Sequence, residues 1–201
     1  MNIAVFVSGR GTNLQALIDV QKKGALAGGR IKLVVSDNPG AYALRRAKKA
    51  GIETFVLEGK AFRNREDFDR AVAKKLVEKK IKLVVLAGFM RILSDYFVER
   101  FKWRIINIHP ALLPSFKGAH GIRDAFNYGV KVTGVTVHFV DNELDAGPII
   151  LQKCVPVEPG DTLESLEEKI HAVEHELYPE AVRLFARDRL EVKGRRVRVK
   201  S

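Results

Sequence analysis

The sequence predicts an α/β protein built on a mostly parallel central sheet with helices on both faces. Continuous apolar runs bounded by turn residues, such as 2–7, 31–36 and 81–87, alternate with amphipathic segments. Such runs are typical of strands that are buried on both faces of a parallel sheet. With 201 residues, 46% of them hydrophobic and 29% charged, the chain is expected to form one domain.

The first hundred residues supply four predicted strands and four predicted helices. The helices share apolar residues three or four positions apart, as in Phe68, Val72 and Leu76. The Gly-rich turn after the first strand and Gly51 after the second helix mark element boundaries. The predicted strands are 2–7, 31–36, 53–57 and 81–87, and the predicted helices begin near residue 14 and span 41–50, 62–79 and 94–101.

The second half is predicted to add strands in mixed orientation. The segment 105–109 contains three Ile residues and is expected to be a central strand. The β-rich segments 132–140 and 148–157 follow, separated by a short acidic loop. A connection this short favours strands that are added in mixed orientation.

The C-terminal part is predicted to hold a long helix and a hairpin. The helix spans 162–186, with Asp161 as its N-cap and Glu164 placed to complete a capping box. The segment 189–199, with a Lys-Gly pair at its middle, is expected to form a small hairpin.

Composition argues against secreted and membrane classes. The apolar runs are far shorter than the ~20 residues that a membrane span needs, and the first residues carry no basic segment with a cleavage pattern. The single Cys154 excludes an internal disulfide and fits a reducing compartment. We expect a cytoplasmic protein without a membrane span, with Cys154 in its core.

The net charge of +11 raises the question of a polyanionic partner. Much of the excess lies in 45–49 and 193–200, which lack the interleaved aromatic residues that stack on bases. Basic runs on helices are usually solvated faces. A small anionic substrate is therefore favoured over nucleic acid, and a basic nucleic-acid-binding module is kept as an alternative.

Two polar residues end the predicted central strand. Asn107 and His109 are two positions apart, so their side chains point to the same side. Pro110 cannot donate to a ladder, and regular pairing should stop there. Taken alone, the pair favours a structural role, with His109 capping the strand and Asn107 bonded to a loop carbonyl, over a catalytic one.

The loop 8–13 lies between the first strand and a helix N-terminus. Free backbone N–H groups and the helix dipole there favour an anion such as phosphate. It is not a Walker loop, and Leu14 occupies the third glycine position of a dinucleotide fingerprint, although Asp37 follows the second strand. A turn that needs Gly for its backbone conformation alone remains an alternative.

The acidic loop contributes Asp145, two residues before Gly147-Pro148 ends it. A carboxylate there is often only a turn former. Near an imidazole, however, a carboxylate favours the charged ring and orients it, and an Asn amide adds a second donor. Asp145, Asn107 and His109 together would suit oxyanion stabilisation and proton transfer during attack on a carbonyl.

The other histidines have weaker cases. The segment 171–175 matches the H-x-x-E-H pattern of inverted zinc proteases, but a third ligand is hard to supply from the residues after His175, and no metal is expected. His171 is expected to be a surface residue and His138 a half-buried, hydrogen-bonded strand residue.

Five segments stand in a fixed order: SGRGTNLQ (8–15), LAGFMRIL (86–93), NIHPALLP (107–114), VHFV (137–140) and LDAGPI (144–149). Together they resemble the glycinamide ribonucleotide formyltransferases, the folate-dependent enzymes of purine synthesis. The resemblance covers nearly the whole chain. It implies a single-domain Rossmann-like formyltransferase fold, with a phosphate-binding half at 1–100 and a catalytic, folate-binding half at 101–201.

The resemblance implies transfer of a formyl group from 10-formyltetrahydrofolate to the amine of glycinamide ribonucleotide. His109 would be the general acid, Asn107 an oxyanion donor, and Asp145 the carboxylate that keeps His109 charged. By the same resemblance, the substrate would bind to Gly11, Thr12, Asn13 and Glu174, and the folate to Arg65, Met90, Arg91, Ile92, Leu93, Asn107, Asp141 and Leu144.

Relatives with the same chemistry provide the nearest alternatives. Formyltetrahydrofolate hydrolases resemble this core but carry an N-terminal regulatory domain, and methionyl-tRNA formyltransferases resemble it but carry a C-terminal RNA-binding domain. Neither extra domain is expected here, and hydrolysis is the closest alternative activity. The expected partners are the phosphorylated substrate and the folate, without nucleic acid or membrane, in a monomer or homodimer.

Overall fold

One mixed sheet of nine strands runs through residues 1–200, the part of the chain that the computed structural model describes. The strands are β1 (Asn2–Val7), β2 (Arg30–Ser36), β3 (Glu53–Val56), β4 (Leu83–Leu86), β5 (Ile105–His109), β6 (Val132–Phe139), β7 (Ile149–Pro156), β8 (Leu190–Lys193) and β9 (Arg196–Val199). The helices are α1 (Thr12–Lys22), α2 (Tyr42–Lys49), α3 (Arg65–Glu78), α4 (Asp95–Arg100), α5 (Gly121–Tyr128) and α6 (Leu163–Ala186), and Gly59–Ala61 forms a 3-10 turn.

The strand order is β3-β2-β1-β4-β5-β6-β7-β9-β8. The first five strands in this order are parallel, whereas β6 pairs antiparallel with both β5 and β7. β5 therefore lies at the centre of the sheet, as predicted, with parallel strands on one side and mixed strands on the other. The predicted α/β class and mixed C-terminal part are confirmed.

The side chains of alternate strand residues pack into two hydrophobic cores, one on each face of the sheet. In β1, Ile3 and Val5 pack with α1, α2 and α6, while Ala4 and Phe6 face the opposite core with α3 and α4. Both faces of the central parallel strands β1 and β4 are therefore covered, which explains their apolar sequences. Within residues 1–200, no helix is both long and apolar enough to cross a bilayer.

Tyr178 of α6 joins the helix layer to the two strands that lead into the site. The side chain is fully buried, and its hydroxyl lies 2.7 Å from the Leu86 oxygen and 3.0 Å from the Ile106 oxygen. A hydroxyl has one proton, so the two carbonyls share it. The residue thereby helps fix the spacing of the ends of β4 and β5.

The predicted cap of α6 is wrong by one residue. Thr162 is the N-cap and forms a capping box with Ser165, so Glu164 does not take part. Asp161 lies just outside the helix, where its carboxylate accepts hydrogen bonds from Glu158 N, Ser165 Oγ and Lys169 Nζ.

Two further differences from the sequence-based description concern the second half. The eight-residue helix α5 was not predicted, because it is short, begins at a glycine and lacks a side-chain N-cap. Cys154 is exposed rather than buried in the core. It lies on β7, where residues 152–154 are exposed and Val155 is buried.

Candidate active site

A cavity of about 790 Å³ opens at the carboxyl ends of β1, β4 and β5. The strand order reverses between β1 and β4, and such switch points are where open α/β sheets bind ligands. The volume lies within the range of small-molecule sites. The residues that follow each of the three strands converge on this space.

His109, the last residue of β5, is buried in the wall of this cavity with 3% of its surface exposed. Its Nε2 lies 2.7 Å from the Phe116 carbonyl oxygen, which can only accept, so Nε2 carries a proton. Its Nδ1 lies 3.5 Å from Asp145 Oδ2. Both ring nitrogens therefore face oxygen atoms. A Cβ at Gly121 would lie 3.2 Å from Nε2, so this glycine leaves room for the imidazole.

Asp145 is held in an uncommon backbone conformation with φ of +48°. Asp tolerates the left-handed region better than most residues, but the surroundings must still fix it. Gly118 N donates to Asp145 Oδ2 at 2.8 Å. On the other side, a Cβ at Gly147 would overlap the Phe139 carbonyl oxygen, so the loop packs directly on β6.

Asn107 is oriented by His138, which lies opposite it in the antiparallel β5–β6 pair. His138 Nδ1 lies 2.8 Å from the Phe139 carbonyl oxygen and so carries the ring proton. Burial lowers the pKa of His138 and keeps the ring neutral. Its Nε2 therefore accepts from Asn107 Nδ2 at 3.3 Å, which leaves the second amide proton for an oxygen in the cavity.

The predicted phosphate loop follows β1. Gly11 is the N-cap of α1 with φ of +71°, and a Cβ there would lie 2.5 Å from Ala43 Cβ. Glycine is thus required both by conformation and by contact with α2. The loop brings the first N–H groups of α1, at Thr12 and Asn13, to the cavity, where they favour an anion.

Glu174 of α6 closes the same end of the cavity and is 4% exposed. Its Oε2 accepts from Asn13 Nδ2 at 3.1 Å and from His171 Nδ1 at 2.9 Å. The hydrogen bond to Glu174 raises the pKa of His171. Within residues 1–200, the buried Asn13 Oδ1 has no hydrogen-bond partner. An orphaned buried acceptor beside a carboxylate suits a ligand with hydroxyl groups.

The opposite end of the cavity has an apolar rim. Met90, Ile92 and Leu144 are 68%, 61% and 57% exposed. Ser8 Oγ accepts from Met90 N at 2.9 Å and donates to Asp37 Oδ1 at 2.6 Å, so it ties this rim to the phosphate loop. Exposed large apolar side chains around a pocket are typical of a site for a flat, partly apolar ligand.

The structure brings together all but one of the residues that were predicted for the site. Arg65 lies exposed in the first turn of α3 and does not line the cavity, although Arg91 does. The residues that do line it are Gly11, Thr12, Asn13, Met90, Arg91, Ile92, Leu93, Asn107, His109, Asp141, Leu144, Asp145 and Glu174.

Two histidines that line the cavity were not predicted as site residues. His171 is half-buried and bonded to Glu174, not on the surface as predicted, because α6 packs against α1 beside the phosphate loop. His138 is fully buried rather than half-buried. His138 could have been assigned to the site from its position opposite Asn107. That position is known only once the register of β5 and β6 is known. Across residues 1–200, no three His, Cys, Asp or Glu side chains form a potential metal-binding group.

The fold and the site define a class of protein. An anion subsite and a centre with an imidazole, a carboxylate and an amide share one cavity, as expected of an enzyme that acts on a carbonyl group of a phosphorylated or folate-sized small molecule. The chain belongs to the formyl transferase family, whose sequence model matches residues 1–182. The family resemblance of the five sequence segments is thus confirmed.

Relatives of similar length carry a more specific name. The phosphoribosylglycinamide formyltransferase of Escherichia coli K12 is 44% identical over 192 residues, which cover 96% of this chain and 90% of that protein. The crystal structure of glycinamide ribonucleotide transformylase 1 from Symbiobacterium toebii has a TM-score of 0.97 at 48% identity, covering 100% of this chain and 94% of that chain.

Other relatives are much longer. The trifunctional purine biosynthetic protein adenosine-3 of Gallus gallus is 48% identical over 192 residues, which cover 96% of this chain. The chain spans only 19% of that protein's length. The match to such proteins therefore concerns a single segment of them.

Proposed function

We propose that this chain transfers the formyl group of 10-formyltetrahydrofolate to the primary amine of glycinamide ribonucleotide, a step of de novo purine synthesis. The observation that carries the proposal is the shared cavity, which is lined by the buried His109–Asp145 pair, the phosphate loop and the apolar rim. The proposal also agrees with the name of the E. coli relative of similar length. We place the reaction in the cytoplasm.

The ribonucleotide would occupy the end of the cavity formed by α1 and α6. Its phosphate would accept hydrogen bonds from the backbone of Gly11, Thr12 and Asn13, where the helix dipole favours negative charge. Its ribose hydroxyls would donate to Glu174 and to the unpaired Asn13 Oδ1. Both groups of the substrate thus have partners of the matching chemistry.

The folate would occupy the end with the apolar rim. Its ring system would bind to the backbone of Met90–Leu93 and to Asn107, Asp141 and Leu144. Its anionic glutamate tail would extend out of the cavity towards Arg65 and Arg91. The net charge of +11 suits two anionic substrates without invoking a nucleic acid.

In the reaction, the amine nitrogen of the ribonucleotide attacks the formyl carbon, and the bond from that carbon to the folate nitrogen breaks. Negative charge grows on the formyl oxygen. Asn107 Nδ2 would donate there, and His109 Nε2 would donate there in exchange for its hydrogen bond to the Phe116 carbonyl oxygen. Each preorganised donor of this kind is worth roughly 3 to 4 kcal/mol. The amine loses one proton and the folate nitrogen gains one, so a group that carries protons is needed between them.

Asp145 would fix the protonation of His109 through this transfer. When Nε2 gives up its proton, the proton that remains on Nδ1 lies towards the carboxylate, 3.5 Å away. The ring then keeps one tautomer and can be recharged. His138 does not compete for this role, because burial lowers its pKa.

Release of tetrahydrofolate tests the proposal directly. The protein is incubated with 10-formyltetrahydrofolate in the presence and absence of glycinamide ribonucleotide. We expect release only when the ribonucleotide is present. Release at the same rate without it would identify a hydrolase. Retention on DNA or RNA that weakens with salt, without release under either condition, would favour a nucleic-acid-binding protein.

A further inference from the structure

The C-terminal hairpin packs next to the loop that carries Asp145. The hairpin consists of β8 and β9 and lies beyond residues 1–182, the part that the formyl transferase family model matches. Leu190, Val192 and Val197 pack against the main core, so the hairpin is anchored to the domain. β9 joins the sheet where Arg196 pairs with Ile149, four residues after Asp145.

Arg195, in the turn of the hairpin, contacts this loop directly. Its Nη2 donates to the Ala146 carbonyl oxygen at 2.8 Å. Ala146 is buried and follows Asp145 in the chain. Arg195 also borders a second cavity of about 270 Å³, which Asp141, the first residue of the same loop, lines as well. Asp141 lines the substrate cavity too, whereas Arg195 does not.

The contact from Arg195 matters because the backbone of Asp145 is strained. Its positive φ is a strained conformation for a residue other than glycine and persists only where several contacts fix it. Gly118 N holds the carboxylate, and β6 packs against Gly147. The hydrogen bond from Arg195 fixes the peptide unit between those two points. Without it, the carboxylate could rotate away from His109 Nδ1.

We propose that Arg195 is a positioning residue, which holds the Asp145 carboxylate at His109 through the Ala146 carbonyl. The expected effect on kcat rests on the proposed function. The expected effect on the position of the Asp145 carboxylate does not. It assigns a role in the active site to a segment outside the matched family region. Arg195 itself does not line the substrate cavity.

Three variants test this role: Arg195→Ala, Arg195→Lys and, as a matched control, Arg198→Ala, whose side chain is exposed on β9. Arg195→Ala should lower kcat roughly tenfold to hundredfold, since displacing a catalytic group by about 1 Å can cost that much. KM for the ribonucleotide should stay unchanged, because the phosphate loop lies elsewhere. Arg195→Lys should recover most of the loss by donating to the same carbonyl.

Hydrogen exchange provides a readout that does not depend on activity. Backbone amides of 141–147 should exchange faster in Arg195→Ala than in wild type or Arg198→Ala, with unchanged exchange in β1 and β4. Unchanged exchange in this loop, or equal kinetic losses in Arg195→Ala and Arg198→Ala, would overturn the inference. If wild type transfers no formyl group but the loop still loosens, the proposed function fails while the positioning contact stands.

Discussion

His109 Nδ1 lies 3.5 Å from Asp145 Oδ2, and both side chains are at least nine-tenths buried. A carboxylate and an imidazole at this distance in a cavity wall interact more strongly than a solvent-exposed pair. The pair is assembled from two distant parts of the chain, the end of β5 and the loop before β7. The proposed chemistry depends on this distance.

Removal of either partner should abolish turnover without unfolding the protein. We expect His109→Ala and Asp145→Ala to lower kcat by about 10²- to 10⁴-fold, the range that general acid–base catalysis contributes. Glu168→Gln on α6 is the control, since Glu168 is exposed and does not line the cavity. Steady-state rates and thermal unfolding should be measured together. Rates near wild type in either alanine variant would contradict the mechanism.

Glu174→Gln should weaken the binding of the ribonucleotide more than it slows the chemistry. The amide loses the charge that accepts from Asn13, His171 and the proposed ribose hydroxyls, so KM for the ribonucleotide should rise while KM for the folate stays constant. Glu176→Gln on the exposed side of α6 is the control. An equal change in both KM values would argue against a ribose site at Glu174.

Gly11→Ala should be more harmful than an alanine at another left-handed glycine. Gly24 has nearly the same φ, +68°, but a Cβ there meets no atom within 4 Å. Gly24→Ala should cost about 1 kcal/mol of unfolding free energy for its backbone conformation. Gly11→Ala should cost about 1 to 3 kcal/mol more, because its Cβ would collide with Ala43.

Urea unfolding of the two glycine variants measures this difference, and KM for the ribonucleotide should rise only in Gly11→Ala. Equal losses of stability would mean that contact with α2 does not require a glycine. An unchanged KM for the ribonucleotide in Gly11→Ala would mean that this loop does not bind the phosphate.

Asp161 should stabilise the start of α6 in a pH-dependent way. Hydrogen bonds from Lys169, Ser165 and the Glu158 backbone lower the pKa of Asp161 from 3.8 to about 2. Because the folded pKa is below the unfolded value, the contribution is fully present above pH 3.8 and is lost as the pH falls towards 2. Wild type should therefore exceed Asp161→Asn in stability at neutral pH.

The comparison should be made by urea unfolding from neutral to acidic pH. The difference between wild type and Asp161→Asn should shrink as the pH falls below about 4, the range in which an unperturbed Asp is protonated. Asp188→Asn, at a highly exposed carboxylate, is the control and should differ little from wild type at any pH. A difference that stays constant down to acidic pH would contradict the role of Asp161.

The sequence was sufficient to predict elements whose local pattern matches their final environment. The central parallel strands β1 and β4 are apolar and buried along almost their whole length, and the turn before α1 could be inferred from its Gly residues. Asn107 and His109 were placed on one side of a strand by the period of two alone. The C-terminal hairpin was likewise predicted from its Lys-Gly turn and is confirmed.

Features that depend on tertiary contacts were missed or misplaced. His138 becomes part of the site only through the β5–β6 register, and His171 only because α6 packs beside α1. Cys154 has a residue type that is usually buried, but β7 exposes that face. The N-cap of α6 was misplaced because Asp161 and Thr162 are both favourable N-cap residues. In the structure, the helix begins after Thr162, whose side chain accepts from Ser165 N.

The most direct test of the central claim follows the formyl carbon itself. Folate that carries an isotopically labelled formyl group is incubated with glycinamide ribonucleotide and the wild-type protein, and the products are analysed by mass spectrometry. We expect one labelled formyl group on the ribonucleotide amine for each tetrahydrofolate released. Label recovered as free formate, with the ribonucleotide unmodified, would contradict the account.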